Sequence, residues 1–217
     1  MKAAADMKAF IAAYGVENRA RVVEYANALI MRYGEAAAAY ACQMYDEIAR
    51  VSRANVMPAE PAEIVDYSTV AKAINGSLLQ SIAGLMAVRV VERLVKQAGA
   101  DTMLQNATRD GAEYAWIPDG GACPFCMGIG AEGWKTASKR IVSGVHAEHI
   151  HSSCNCEFAI RFDEKSNVNG YNPNDYKQAL EEQTEKEIRE EQREENRALI
   201  DEQKREAYKF NKDNEDA

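Results

Sequence analysis

The chain has 217 residues, 47% of them hydrophobic, which is enough for one sizeable core with an appendage. A formal net charge of −8 excludes a protein that coats duplex nucleic acid through a generally basic surface, leaving room only for a local basic patch. The start MKAAADMKAF has no basic segment leading into a long apolar run, and the least charged stretch, Ser77 to Val88, is interrupted by Gln80 and Ser81 and closed by Arg89, so neither a secretory signal nor a membrane span is expected.

From about Val16 to Gln105 apolar residues recur at helical spacing, as in Val22, Val23, Tyr25, Ala26, Leu29, Ile30 and Tyr33. Gly34 after Arg32-Tyr33 reads as a C-terminal cap, and Ala36 to Ala39, Ala41, Met44, Tyr45 and Ile48 restart the pattern. Cys42, alone in this Ala-rich stretch, reads as a small buried hydrophobe. Pro58 and Pro61 break the pattern, and a third helical stretch runs from about Pro61 to Asn75, where Asn75-Gly76-Ser77 kinks it or caps a new one. Leu78, Leu79, Ile82, Leu85, Met86, Val88, Val90, Val91 and Leu94 form an apolar surface broad enough for the central helix of a bundle. Asp101 is placed to cap a short helix ending near Arg109.

Between Tyr114 and Phe162 helical periodicity disappears while Gly, Pro and Cys concentrate. Tyr114 to Ile117 and Cys156 to Phe162 read as short strands that pair with each other. From about Asn174 to Ala217 the chain holds 15 acidic and nine basic residues with thin apolar content, so it has no core of its own. Glu182/Lys186, Glu185/Arg189 and Asp201/Arg205 at i,i+4 spacing support a solvated helix, or an arm that orders on a partner. The expected fold is therefore mainly α: an N-terminal helical bundle over 1–112, a small α+β zinc knuckle module over 113–165, and a charged C-terminal helix over 166–217.

Four of the five cysteines fall in the 34-residue window from Cys123 to Cys156, the distribution of metal ligands rather than of a disulfide framework. The chain can reverse over Pro124-Phe125 so that Cys123 and Cys126 present both sulfurs to one side. His151-x-x-Cys154-x-Cys156 supplies the second half of a tetrahedral sulfur and nitrogen shell, which suits zinc. Cys123, Cys126, His151 and Cys154 make the best four; Cys156 in place of Cys154 stays open, and His149 is a further alternate. Four protein ligands leave no open position for water, so the zinc is expected to be structural.

No catalytic residues are expected. His146-Ala-Glu148 matches the H-x-E half of a zinc deaminase, but the C-x-x-C pair precedes it and Cys154-Asn155-Cys156 has the wrong spacing. His146, Glu148 and His149 do not form H-E-x-x-H, and no phosphate-binding G-x-x-x-x-G-K-[ST] occurs.

The run Tyr114-Ala-Trp-Ile-Pro-Asp-Gly-Gly-Ala-Cys-Pro-Phe-Cys126, followed by His151-Ser-Ser-Cys-Asn-Cys156 and a short apolar strand, resembles the C-terminal signature of phage minor head proteins. These are the head morphogenesis proteins related to the F protein of phage Mu and the minor capsid proteins of Gram-positive phages. Met31 to Ala41 with Met44 to Arg50, and Arg93 to Thr102, are similar to that family's helices, so the resemblance covers most of Val22 to Phe162. It implies a virion component without enzymatic activity, inside the head near the portal, which assists assembly and the packaging and ejection of DNA. Portal or major capsid protein is the implied partner, with packaged DNA a further one and several copies per virion compatible; no membrane is implied. Ser152, Ser153 and Asn155 are small and neutral where the family usually carries aromatic or basic residues, so the resemblance carries less weight for direct DNA contact. The alternative is a zinc-ribbon nucleic-acid-binding protein, which needs a basic face near the knuckle; only Lys135, Lys139, Arg140 and Arg161 are available for it.

Overall fold

The computed structural model of the chain describes residues 1–80, 84–138 and 156–215. Four helices come first: α1 (Lys2–Tyr14), α2 (Arg19–Ser52), α3 (Tyr67–Gln80) and α4 (Leu85–Asp110). The helical reading from Val16 onward misses α1, whose buried Ala3, Met7 and Phe10 stand at i, i+4 and i+7 and carry the signal. The chain then enters α2 through Asn18, whose side chain accepts the Arg21 backbone N–H at 3.1 Å.

Three expectations within the bundle are corrected. Gly34 caps nothing, because α2 runs unbroken through it. A glycine weakens a helix interior by about 1 kcal/mol, but here it admits close neighbours. A Cβ at Gly34 would stand 3.3 Å from Ile64 Cδ1 and 3.5 Å from Ala98 Cβ. The single central helix expected across Leu78 to Leu94 is two helices, since Gly84 holds a left-handed conformation (φ 67°) as the N-cap of α4. Asp101, expected as a cap, lies in the middle of α4 and is half-buried. The break at Pro58 and Pro61 does occur, but α3 starts later, at Tyr67, where the preceding Asp66 accepts the Thr69 backbone N–H at 2.9 Å. It then continues through Asn75-Gly76-Ser77, where the Ser77 hydroxyl donates to the Ile74 carbonyl at 2.7 Å.

The main core gathers apolar residues from all four helices, among them Met7, Ile30, Ile74 and Val91, each with no exposed surface. Burying such a side chain contributes about 1.5–3 kcal/mol. The non-helical segment between α2 and α3 is strapped to α4 by polar side chains. Asn106, 1% exposed, accepts the Glu60 backbone N–H at 2.9 Å and donates to the Glu60 carbonyl at 2.8 Å. Thr102 accepts the Ala62 N–H at 3.1 Å, and Arg109 donates to the Met57 and Pro58 carbonyls at 2.8 and 3.0 Å. A segment without secondary structure must have its backbone groups satisfied in this way when it lies against a core.

Three strands, β1 (Glu113–Ile117), β2 (Lys135–Thr136) and β3 (Glu157–Arg161), form an antiparallel sheet in the order β2-β1-β3. The expected pairing of the Tyr114–Ile117 and Cys156–Phe162 segments is present as the central strand β1 against β3, with Tyr114 opposite Ile160 and Trp116 opposite Phe158. A second core of Tyr45, Leu104, Ala107, Tyr114 and Ile160 binds the sheet to the lower ends of α2 and α4. A short helix, α5 (Pro124–Gly130), lies between β1 and β2, and a long helix, α6 (Pro173–Glu215), ends the described chain. The mainly α class is therefore observed. Among the described residues no helix is long and apolar enough to cross a membrane.

Candidate metal centre

Cys123 is the N-cap residue of α5, with extended backbone (φ −73°, ψ 162°), and Pro124 occupies the first turn. Proline is pre-organised there because its fixed φ suits the helix and its missing N–H would be unpaired anyway. The expected reversal over Pro124-Phe125 is thus the opening of a helix; its seven residues are too few to show a period in sequence. The chemical consequence is unchanged, since residues three apart on a helical turn share a face.

Cys126 is 2% exposed and packs on the equally buried Trp116 of β1. Cys123 and Cys156 pack against that same pair, together with Phe158, whose ring meets the Trp116 ring edge-on at 4.3 Å between centroids. The structure thus brings three of the five sequence-predicted ligands around one aromatic core. His151 and Cys154 lie outside the described residues, as do His146, Glu148 and His149. Among the described residues no three His, Cys, Asp or Glu side chains form a group able to hold a metal ion. Cys123, Cys126 and Cys156 are thiol donors of the kind zinc takes, carried on two chain segments and packed against one buried Trp116/Cys126 pair. A groove of about 710 Å³ between α2 and α4 reaches this site, with Tyr40, Met44 and Met103 on the helical side and Cys156 and Phe158 on the other.

Two residues that sequence reasoning missed hold the two ends of the stretch from Pro118 to Gly130 that carries Cys123 and Cys126. Tyr176, on the first turn of α6, donates its hydroxyl to the Pro118 carbonyl at 3.2 Å. Burial first, then the influence of Cys156 and Asp175, raises that hydroxyl above its ordinary range. Tyr171 donates to the Gly130 carbonyl at 2.8 Å, and burial pushes its pKa up to about 12. In sequence Tyr171 stands in an Asn/Gly/Pro stretch and Tyr176 at the start of the charged run, so local pattern does not single them out and the long-range contacts do. Two of the four basic residues near the knuckle are engaged. Arg161 donates to Glu113 at 2.6 Å and lies over the Trp134 ring at 4.5 Å, and Lys135 is paired with Glu132. Lys139 and Arg140 lie outside the described residues.

The family model described as VG15 protein matches residues 1–183, a span that takes in the bundle, the sheet module and the first turns of α6. No curated protein and no solved structure matches the chain.

Proposed function

Because the chain belongs to the VG15 protein family, a family of phage gene products, we propose that it is a minor head protein, a structural component of the virion inside the head near the portal. In this reading it assists head assembly and the packaging and ejection of DNA without catalysing a reaction. It acts through portal or major capsid protein, and works in the host cytoplasm during assembly and in the capsid interior afterwards. The observation that carries it is the family match across 1–183, joined to the resemblance of the Cys123–Cys156 region to head morphogenesis proteins. Cys123, Cys126, His151 and one of Cys154 or Cys156 would hold a structural zinc ion, whose role is to tie the segment after β1 to the segment before β3. The division into bundle (1–112), zinc module (113–165) and arm (166–217) belongs to the same proposal.

The zinc-ribbon alternative needs a free basic face. Arg161 and Lys135 are each paired with a carboxylate, which weighs against a free basic face at these two positions.

Two measurements test the proposal. Protease-treated, purified virions should retain the chain at a few copies per particle, and its portal protein should be captured by it in solution; a chain found only outside virions would overturn the head-protein reading. Metal content by mass spectrometry should give about one zinc per chain, lost in Cys123→Ser and in one of Cys154→Ser and Cys156→Ser. Metal-free, chelator-insensitive protein would remove the zinc site.

A further inference from the structure

α5 is used at both ends. Its first turn carries Cys123 and Cys126, and its last residue carries part of the seat of α6. Gly130 offers its carbonyl to the Tyr171 hydroxyl, and its lack of a side chain lets Pro118 come close, since a Cβ there would stand 2.4 Å from Pro118 Cγ. Pro118 in turn offers its carbonyl to Tyr176. Tyr171 meets the Trp134 ring edge-on at 6.1 Å and the Tyr176 ring at 5.9 Å, while Trp134 Nε1 donates to Asn167 at 3.0 Å. Both tyrosine hydroxyls thus bind the stretch from Pro118 to Gly130, whose middle is anchored by Cys126 on Trp116. A seven-residue helix is far below the length that holds itself together in water, so α5 depends on these anchors.

Resting on the zinc reading above, we infer that the bonding state of the Cys123/Cys126 pair sets the seating of α6. Metal held by the pair fixes α5 against Trp116 and keeps the Gly130 and Pro118 carbonyls within reach of Tyr171 and Tyr176. Loss of the metal loosens α5 and frees the base of the arm. The lever is long: at 1.5 Å per residue α6 extends roughly 65 Å, so about 10° of rotation at the seat moves its far end by about 11 Å. The arm's aim at a partner is then a property of the metal site.

The chain has two tryptophans, one at each end of the coupling: Trp116 at the cysteines and Trp134 at the seat. Full-length protein labelled with 5-fluorotryptophan gives two fluorine resonances, assigned by Trp134→Phe. Zinc content and both resonances are followed through a chelator titration, together with trypsin cleavage at Lys177. The expected result is that both resonances move with one midpoint and that cleavage at Lys177 accelerates by ~10-fold or more, as local release requires. In Tyr176→Phe, which keeps the ring, the Trp134 resonance should shift toward its metal-free position with zinc still bound. Should the double Tyr171→Phe/Tyr176→Phe variant keep its helical circular dichroism, it should sit at the metal-free position outright. Zinc binding with a responding Trp116 and an unmoved Trp134 would overturn the coupling and leave the zinc reading standing. A chain that binds no zinc would sink the zinc reading, and the coupling with it.

Discussion

At the scale of single residues, the polar groups inside the bundle mark where the chain departs from a simple amphipathic pattern. Asn106 looks like an interruption of an apolar helix face, yet it satisfies both backbone groups of Glu60 and is almost fully buried. Asn106→Ala removes both bonds and strands their partners, so chemical denaturation should show a loss of about 3 kcal/mol; a loss under 1 kcal/mol would mean that water replaces the side chain. Asp101 behaves in the opposite sense. Burial raises its pKa from the ordinary 3.8 to about 6, against a smaller opposing hydrogen bond from Gln97. The folded chain therefore binds this proton more tightly than the unfolded chain, so the residue's contribution is most favourable below about pH 4 and is lost as pH rises to about 6. Asp101→Asn should flatten melting temperature over that window and raise stability at pH 7 by about 1 kcal/mol, a figure below the full shift because the side chain keeps some solvent. An unchanged profile would show that the carboxylate is solvated.

Among the elements, the junction of α3 and α4 shows how a glycine divides a pattern. Gly84 holds φ 67°, and a Cβ there would lie 2.7 Å from Val16 Cγ1 and 3.1 Å from Ile11 Cδ1. Gly84→Ala combines backbone strain with a clash against the α1–α2 connection, and should destabilise the bundle by about 2 kcal/mol in a denaturant titration. Full wild-type stability would imply that the helix start rearranges. The same apolar run that suggested one central helix is legible as amphipathic, but periodicity does not say where a helix is interrupted by a close approach from elsewhere. α1 was missed for a related reason: 13 residues with three apolar anchors, Ala3, Met7 and Phe10, give a weak stripe that becomes a core only when α2 and α4 cover it.

On the scale of the whole molecule, α6 is two things in one helix. Its first turn is built into the module through Tyr176, whereas further along Ile188 is 48% exposed and Arg189 pairs with Glu185 at 2.8 Å on the surface. Such an exposed pair adds only a few tenths of a kcal/mol. Truncation after Glu182 keeps the seat, so it should leave the melting temperature within about 1 °C of the full chain while abolishing capture of portal protein; truncation before Asn174 should also lower the melting temperature, by several degrees. Portal capture that survives the shorter deletion would assign the partner surface to the bundle or the module.

The sequence by itself determined the mainly α class, the pairing of the segments around Tyr114 to Ile117 and Cys156 to Phe162, and the charged helix at the end, because each is written in local periodicity or charge spacing. It also picked out Cys123, Cys126 and Cys156, since cysteine clustering is visible without a fold, and the structure packs these three around Trp116. Tertiary contacts alone settle that Gly34 is a contact and not a cap, that Asp101 is inside a helix, and that Tyr171 and Tyr176 reach back to the carbonyls of Gly130 and Pro118. The physical reason is common to all of these: each depends on a neighbour many residues away, and a local pattern holds no information about which distant atoms will arrive beside it.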